Sequence, residues 1–365
     1  MNNKVYFTPG PSELYPTVPQ HMQEAMAQKI GSISHRSKQF QEIYASAESG
    51  LRELLQLPDE YEVFFVSSAT EIWERAIQNN VQRESFHLVN GSFSKRFYET
   101  AKELGREAQL HEVPFGQGFD VESINVPETA ELVALIQNET SSGACMPVED
   151  INRFREKASA DTLIYVDAVS SLPYPAFDYT LVDSVYFSVQ KCFGLPAGLG
   201  VWLANDRCMA KARELQESGL SVGSYHTLPA LLEKALLSQT VETPNVLNIY
   251  LLGKVLEDMN RKGVATIRQE TEAKAAQIYT FLEQSKVFSP AVENLQQRSK
   301  TTIVANTSIP ASEVNKHLAK YDLQVGSGYG KYKESQIRIA NFPAHSPEQV
   351  ARLLEKLKEV EKLGS

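Results

Sequence analysis

The sequence predicts an α/β fold in which a large, mostly parallel seven-stranded sheet carries helices on both faces and a smaller α+β domain follows it. The first observation is an alternation. Short apolar runs at 63–66, 86–89, 109–113, 132–136, 163–166, 184–187 and 200–203 are separated by segments long enough for helices, the pattern of strand-crossover units. The second is a change of period: beyond residue 205 the apolar residues recur at helical spacing, and strand-like runs return only at 302–305, 323–325 and 336–339. At 365 residues the chain is long enough for a large domain and a companion. The division is expected between 1–255 and 256–365.

Within that frame, the opening Phe7-Thr8-Pro9-Gly10-Pro11 and Pro16 demand an extended, turning segment. Helical patterns follow at 18–29 and from Phe40 to Leu55, then after Glu71, where Ile72, Trp73, Ala76 and Ile77 share a face. Further helices are expected at 209–216, 228–237 and 247–259, a long one at 256–282 interrupted near Gly263, one after Pro310 and a closing one at 347–363.

Composition excludes several classes of function. A net charge of −9 argues against nucleic acid, which requires a basic face. No apolar run reaches the roughly 20 residues of a membrane helix, and Met1 to Lys4 lack the apolar core of a secretory signal, so a cytoplasmic location is expected. Cys145, Cys192 and Cys208 are odd in number and irregularly spaced, as suits reduced thiols. No metal is expected, because the seven histidines and three cysteines form no pair at ligand spacing.

In an open parallel sheet, ligands collect at the carboxyl ends of the strands. Asp167 ends one apolar run, and Gln190 and Lys191 lie just past the end of the next. An acid and an amine at neighbouring strand ends can grip one flat cofactor from two sides. Pyridoxal 5'-phosphate needs that pair: a lysine for its aldehyde, and a carboxylate that keeps its ring nitrogen protonated. Lys191 is therefore read as the Schiff-base lysine and Asp167 as the ring-nitrogen partner. After the first strand, Ser67-Ser68-Ala69-Thr70 opens a helix whose N–H groups suit a phosphate, which assigns Ala69 and Thr70 to the cofactor phosphate.

The run Ser188-Val189-Gln190-Lys191-Cys192-Phe193-Gly194-Leu195-Pro196-Ala197-Gly198-Leu199-Gly200 resembles the signature of class V aminotransferases of fold type I, most closely their phosphoserine branch. The resemblance spans nearly the whole chain. It implies that Phe93 stacks on the pyridine ring where the branch usually has Trp, that Thr140 in Asn138-Glu139-Thr140 hydrogen-bonds the ring oxygen, and that Arg338 binds the substrate α-carboxylate. It further implies a homodimer with composite sites, Thr243 reaching the neighbour's cofactor phosphate. His35 and Arg36 would receive the distal anion of the substrate. Lys331 and Lys333 stand where the branch carries a His-Arg pair that crosses the interface.

The function so implied is transamination between O-phosphoserine and 2-oxoglutarate. Three readings stay open beside it: another class V transaminase acting on alanine, serine or glutamate; a lyase or desulfurase, although no Cys follows Cys208; and a scaffold in which Lys191 is idle.

Overall fold

The computed structural model describes residues 4–362. The chain opens on a short strand, β1 (Val5–Phe7), followed by a Pro-rich turn. Helix α1 (Val18–Ala27) then carries Pro in its first turn, where a missing N–H costs no helical bond. Helix α2 (Lys38–Leu55) is capped by Ser37, whose hydroxyl accepts the Phe40 N–H, and buries Phe40, Tyr44, Ala47, Leu51, Leu54 and Leu55 along one stripe.

The large sheet begins with β2 (Tyr61–Val66), α3 (Ala69–Asn80), β3 (Glu84–Val89), α4 (Ser92–Glu103), β4 (Glu107–Glu112) and β5 (Leu132–Ile136). A small hairpin of β6 (Asn138–Glu139) and β7 (Ala144–Cys145) and helix α5 (Val148–Lys157) lead to β8 (Leu163–Asp167), β9 (Ser184–Ser188) and β10 (Gly200–Asn205). Their spatial order is β2-β10-β9-β8-β5-β3-β4, so all seven expected strands enter one sheet. Strands β3, β5, β8, β9 and β10 are buried along their whole length, as a sheet covered on both faces requires. Every pairing is parallel except those of β10, which runs antiparallel to both neighbours. The link from β9 to β10 holds the Lys191 turn and no helix, so the chain comes straight back rather than crossing over.

Helices α6 (Asp206–Glu217), α7 (Leu228–Ala235) and α8 (Val246–Lys262) follow. The expected interruption falls at Gly263, whose φ of +84° suits glycine, and α9 (Val264–Gln284) starts again beyond it. The expected 255/256 division lies inside α8, where Leu256 and Met259 still pack in the large core. The smaller core takes over at Ala275 on α9. It is built from β11 (Phe288–Pro290), β12 (Thr302–Thr307), α10 (Ala311–Leu318), β13 (Leu323–Ser327), β14 (Gln336–Ala340) and α11 (Pro347–Glu361). Its sheet runs β1-β13-β14-β12-β11. Strand β1 thus completes the C-terminal sheet, and Val5 and Phe7 enter that core.

Candidate active site

Strands β8 and β9 are parallel neighbours, and their carboxyl ends place Asp167 and the turn bearing Lys191 side by side. Both side chains are buried. Lys191 Nζ donates to Thr140 Oγ1 at 3.0 Å, Thr140 donates to Ser170 Oγ at 2.8 Å, and Ser170 donates to the Asn138 carbonyl at 3.0 Å. Among the described residues Lys191 has no carboxylate in ion-pair contact. Burial pulls its pKa down to about 8, against a weaker upward pull from Asp167. Burial likewise pushes Asp167 up to about 6, while the Val169 N–H bonded to its Oδ1 draws it down.

Gly10 closes on Lys191 from above. Its φ is +127°, and a Cβ there would lie 2.8 Å from Lys191 Cε, so the N-terminal turn can approach only as glycine. Phe93, at the head of α4, lies with its ring centroid 5.4 Å from Lys191 Nζ. Its place is fixed by Glu139, a buried carboxylate that accepts the N–H groups of Phe93 (3.4 Å), Ser94 (2.9 Å) and Ser141 (3.1 Å). Glu139 crowds Gly91 so closely that a Cβ there would sit 2.4 Å from its Cδ. One acid thereby ties the Phe93 helix to the Thr140 loop.

Arg338 projects from the middle of β14. Its Nε donates to the Ser327 carbonyl at 2.8 Å, its Nη1 to the Thr140 carbonyl at 3.4 Å, and the ring of Tyr329 lies 5.4 Å away. No carboxylate pairs with it in the described residues, and desolvation lowers its pKa. At the head of α3, the Ala69 N–H donates to Ser188 Oγ at 2.8 Å and the Glu71 N–H to Ser68 Oγ at 3.2 Å. The Thr70 N–H and hydroxyl have no protein partner among the described residues.

These groups line one cavity of about 260 Å³: Ala69, Thr70, Phe93, Thr140, Asp167, Gln190, Lys191 and Arg338 all contribute to it. The other expected residues lie outside that lining. Arg36 donates to Gln239 Oε1 (2.8 Å) and to the carbonyls of Thr240 (2.7 Å) and Val241 (3.1 Å), beside the partly buried His35. Thr243, Lys331 and Lys333 are exposed. Trp73 and Tyr329 were not singled out by sequence reasoning. Trp73 Nε1 donates to Asp167 Oδ2 at 3.1 Å, and Tyr329 lies against both Phe93 and Arg338. For Trp73 a signal existed: it falls one turn after Thr70 on the same helix face.

The cavity therefore offers an amine of lowered pKa, a buried acid, an aromatic face, an unpartnered helix-head N–H and a guanidinium without a counter-ion. That donor set fits pyridoxal 5'-phosphate with an anionic substrate beside it, on a fold type I scaffold. The family model "Aminotransferase class-V" matches residues 5–353, and the chain belongs to that family of pyridoxal-phosphate enzymes. A phosphoserine aminotransferase of Rhodococcus opacus (strain B4) is 30% identical over 95% of this chain and 92% of its own. The crystal structure of a phosphoserine aminotransferase from Cytophaga hutchinsonii superposes with a TM-score of 0.97 at 62% identity, covering 98% of this chain and 99% of that one. An aspartate aminotransferase from Thermus thermophilus shares the fold at TM-score 0.83 and 22% identity, over 98% of this chain and 99% of its own.

No helix among the described residues is long and apolar enough to cross a membrane.

Proposed function

We propose that the protein moves the amino group of O-phosphoserine to 2-oxoglutarate, yielding 3-phosphohydroxypyruvate and glutamate, a step of serine biosynthesis in the cytoplasm. The observation that carries the reaction type is the convergence of Lys191, Asp167 and Arg338 on one cavity. The substrate follows the phosphoserine aminotransferases to which the chain is similar over nearly its full length.

Bound pyridoxal phosphate supplies a reactive carbonyl and a ring that accepts electrons. The protein supplies the rest. Thr70 at the α3 head, with Ala69 beside it once its N–H turns from Ser188, would hold the phosphate; Phe93 would cover the ring, Thr140 would meet the ring oxygen, and Asp167, steadied by Trp73, would keep a proton on the ring nitrogen. Arg338 grips the α-carboxylate with its planar fork and fixes which bond to Cα faces Lys191. Lys191 Nζ takes the α-proton and returns it on the cofactor's side. A pKa near 8 leaves a useful fraction of the amine free at neutral pH. Glutamate formation reverses these steps: water supplies the carbonyl oxygen of 3-phosphohydroxypyruvate and is released again when 2-oxoglutarate gives up its own.

The distal phosphate falls to His35 and Arg36, with Lys331 and Lys333 of a second subunit adding charge. What supports this is that Arg36 uses three of its five N–H donors on the 239–241 segment, which leaves its Nε–H and one Nη2–H for an anion. The homodimer reading rests on the exposure of Thr243 and of the neighbouring Leu236 and Leu237. A charge-assisted hydrogen bond contributes about 1.5 to 3 kcal/mol. Arg36→Ala is therefore expected to lower kcat/KM for phosphoserine roughly tenfold to a hundredfold and to leave the slow reaction with alanine nearly unchanged. A preference for phosphoserine that survives the substitution would remove Arg36 from the substrate site.

A further inference from the structure

His226 sits between two carboxylates that belong to different segments. Its Nδ1 lies 2.5 Å from Glu71 Oε1, its Nε2 bonds Glu242 Oε2, and its side chain is 2% exposed. It holds this place with a φ of +46°, a left-handed conformation that costs a non-glycine residue energy. Glu71 is the third residue of α3, and its Oε2 accepts the Ser67 N–H at 3.0 Å and the Ser67 hydroxyl. The imidazole is thus one residue from Thr70 on one side. On the other it is one residue from Thr243, in the segment whose carbonyls at 240 and 241 Arg36 also holds.

We propose that His226, doubly protonated and bridging Glu71 and Glu242, is a positioning residue that fastens the phosphate-binding turn at the head of α3 to the 239–243 segment. The proposal rests on the assignment of that turn to the cofactor phosphate. Two acceptors on the two ring nitrogens can both be satisfied only by the imidazolium, since a neutral ring has one N–H. A neutral His226 must release one carboxylate. Glu71, which also holds the Ser67 N–H and hydroxyl, would then lose its link to the imidazole, and Glu242 would free the segment carrying Thr243.

The remaining charged groups around the imidazole are consistent with this. Arg75 on α3 approaches Glu71 at 3.5 Å and Glu74 at 3.7 Å, and its guanidinium lies 5.2 Å from the ring of Tyr225, which packs against His226. His35 feels the charge of Glu242 from the opposite segment, although burial and Arg36 dominate and lower its pKa. The two carboxylates overcome the desolvation of His226 and raise its pKa to about 9. Because the folded value exceeds the free one, the tie is complete below pH 6.5 and is lost as pH rises through 9.

The test measures binding rather than turnover. Pyridoxamine 5'-phosphate and pyridoxamine are titrated into cofactor-free parent, His226→Gln and Glu242→Gln proteins from pH 7 to 10. Neither probe carries an aldehyde, so neither bonds covalently to Lys191. At pH 7.5 both variants are expected to bind the phosphorylated probe at least tenfold more weakly than the parent, with pyridoxamine unchanged, and the difference for His226→Gln should shrink towards none by pH 10. An unchanged affinity, or an equal loss for both probes, overturns the proposal. A parent that binds the two probes equally well overturns the phosphate-turn assignment as well.

Discussion

Lys191 is held where burial disfavours its charged form. A lysine whose pKa falls from 10.5 to about 8 penalises the folded state below pH 8, where the unfolded chain holds its proton more firmly. The penalty fades as pH rises from 8 to 10.5, because there the unfolded chain binds more protons than the folded one. Lys191→Met removes the buried cation and leaves a side chain of similar shape, at the loss of the hydrogen bond to Thr140. The cofactor-free variant should be more stable than the parent by about 2 kcal/mol at pH 7, from about 3 kcal/mol of relieved burial less about 1 kcal/mol for the bond. Denaturant titrations at pH 7, 9 and 10.5 should show that gain shrinking. A variant less stable at pH 7 would mean that Lys191 is comfortably solvated or paired, against the catalytic role proposed for it.

Asp167 and Lys191 were legible in the sequence as candidates because one ends an apolar run and the other lies just past the end of the next, and an ionisable group at a strand's carboxyl end has few structural reasons to be there. Trp73, Glu139 and Tyr329 were not. Trp73 read as one apolar member of a helix stripe, yet its indole N–H reaches Asp167. Glu139 passed as one letter of a motif, yet it organises three backbone N–H groups. Such roles depend on which elements meet, and local periodicity carries no record of that.

Among the elements, α3 gives the cavity Ala69, Thr70 and Trp73. Its head faces the cavity with Thr70, its first turn contributes Glu71, and Trp73 stacks on Phe97 of α4 at 5.8 Å while bonding Asp167. Trp73→Phe preserves the stacking and deletes only the donor, leaving one oxygen of a buried carboxylate without its N–H. Asp167 should then titrate higher still and hold the ring-nitrogen proton less firmly. Cofactor affinity is expected to fall about five- to tenfold, and the cofactor-free protein to lose about 1 to 3 kcal/mol of stability at pH 7. Equal affinity would show that Asp167 does not need the indole. The sequence also left strand direction undetermined. The antiparallel course of β10 follows from a helix-free link, while the recruitment of β1 into the far sheet depends on a partner more than three hundred residues away.

Over the whole molecule, the cavity of one chain gathers Lys191, Asp167, Phe93 and Arg338, but His35, Arg36, Thr243, Lys331 and Lys333 stand apart from it. The proposed homodimer brings Thr243, Lys331 and Lys333 to the neighbour's cavity. Mixing Lys191→Ala chains with Thr243→Ala chains tests that arrangement. In a heterodimer one site carries both defects and the other neither, so activity should recover to about a quarter of the parent's if the subunits mix freely; no recovery would mean self-contained subunits. The central claim is the reaction itself. Its most direct measurement is kcat/KM of the parent protein for O-phosphoserine, alanine, serine and aspartate, each with 2-oxoglutarate and with glutamate as the detected product. The account predicts that phosphoserine exceeds every other donor by at least tenfold, and an unphosphorylated donor that equals or surpasses it would contradict the account.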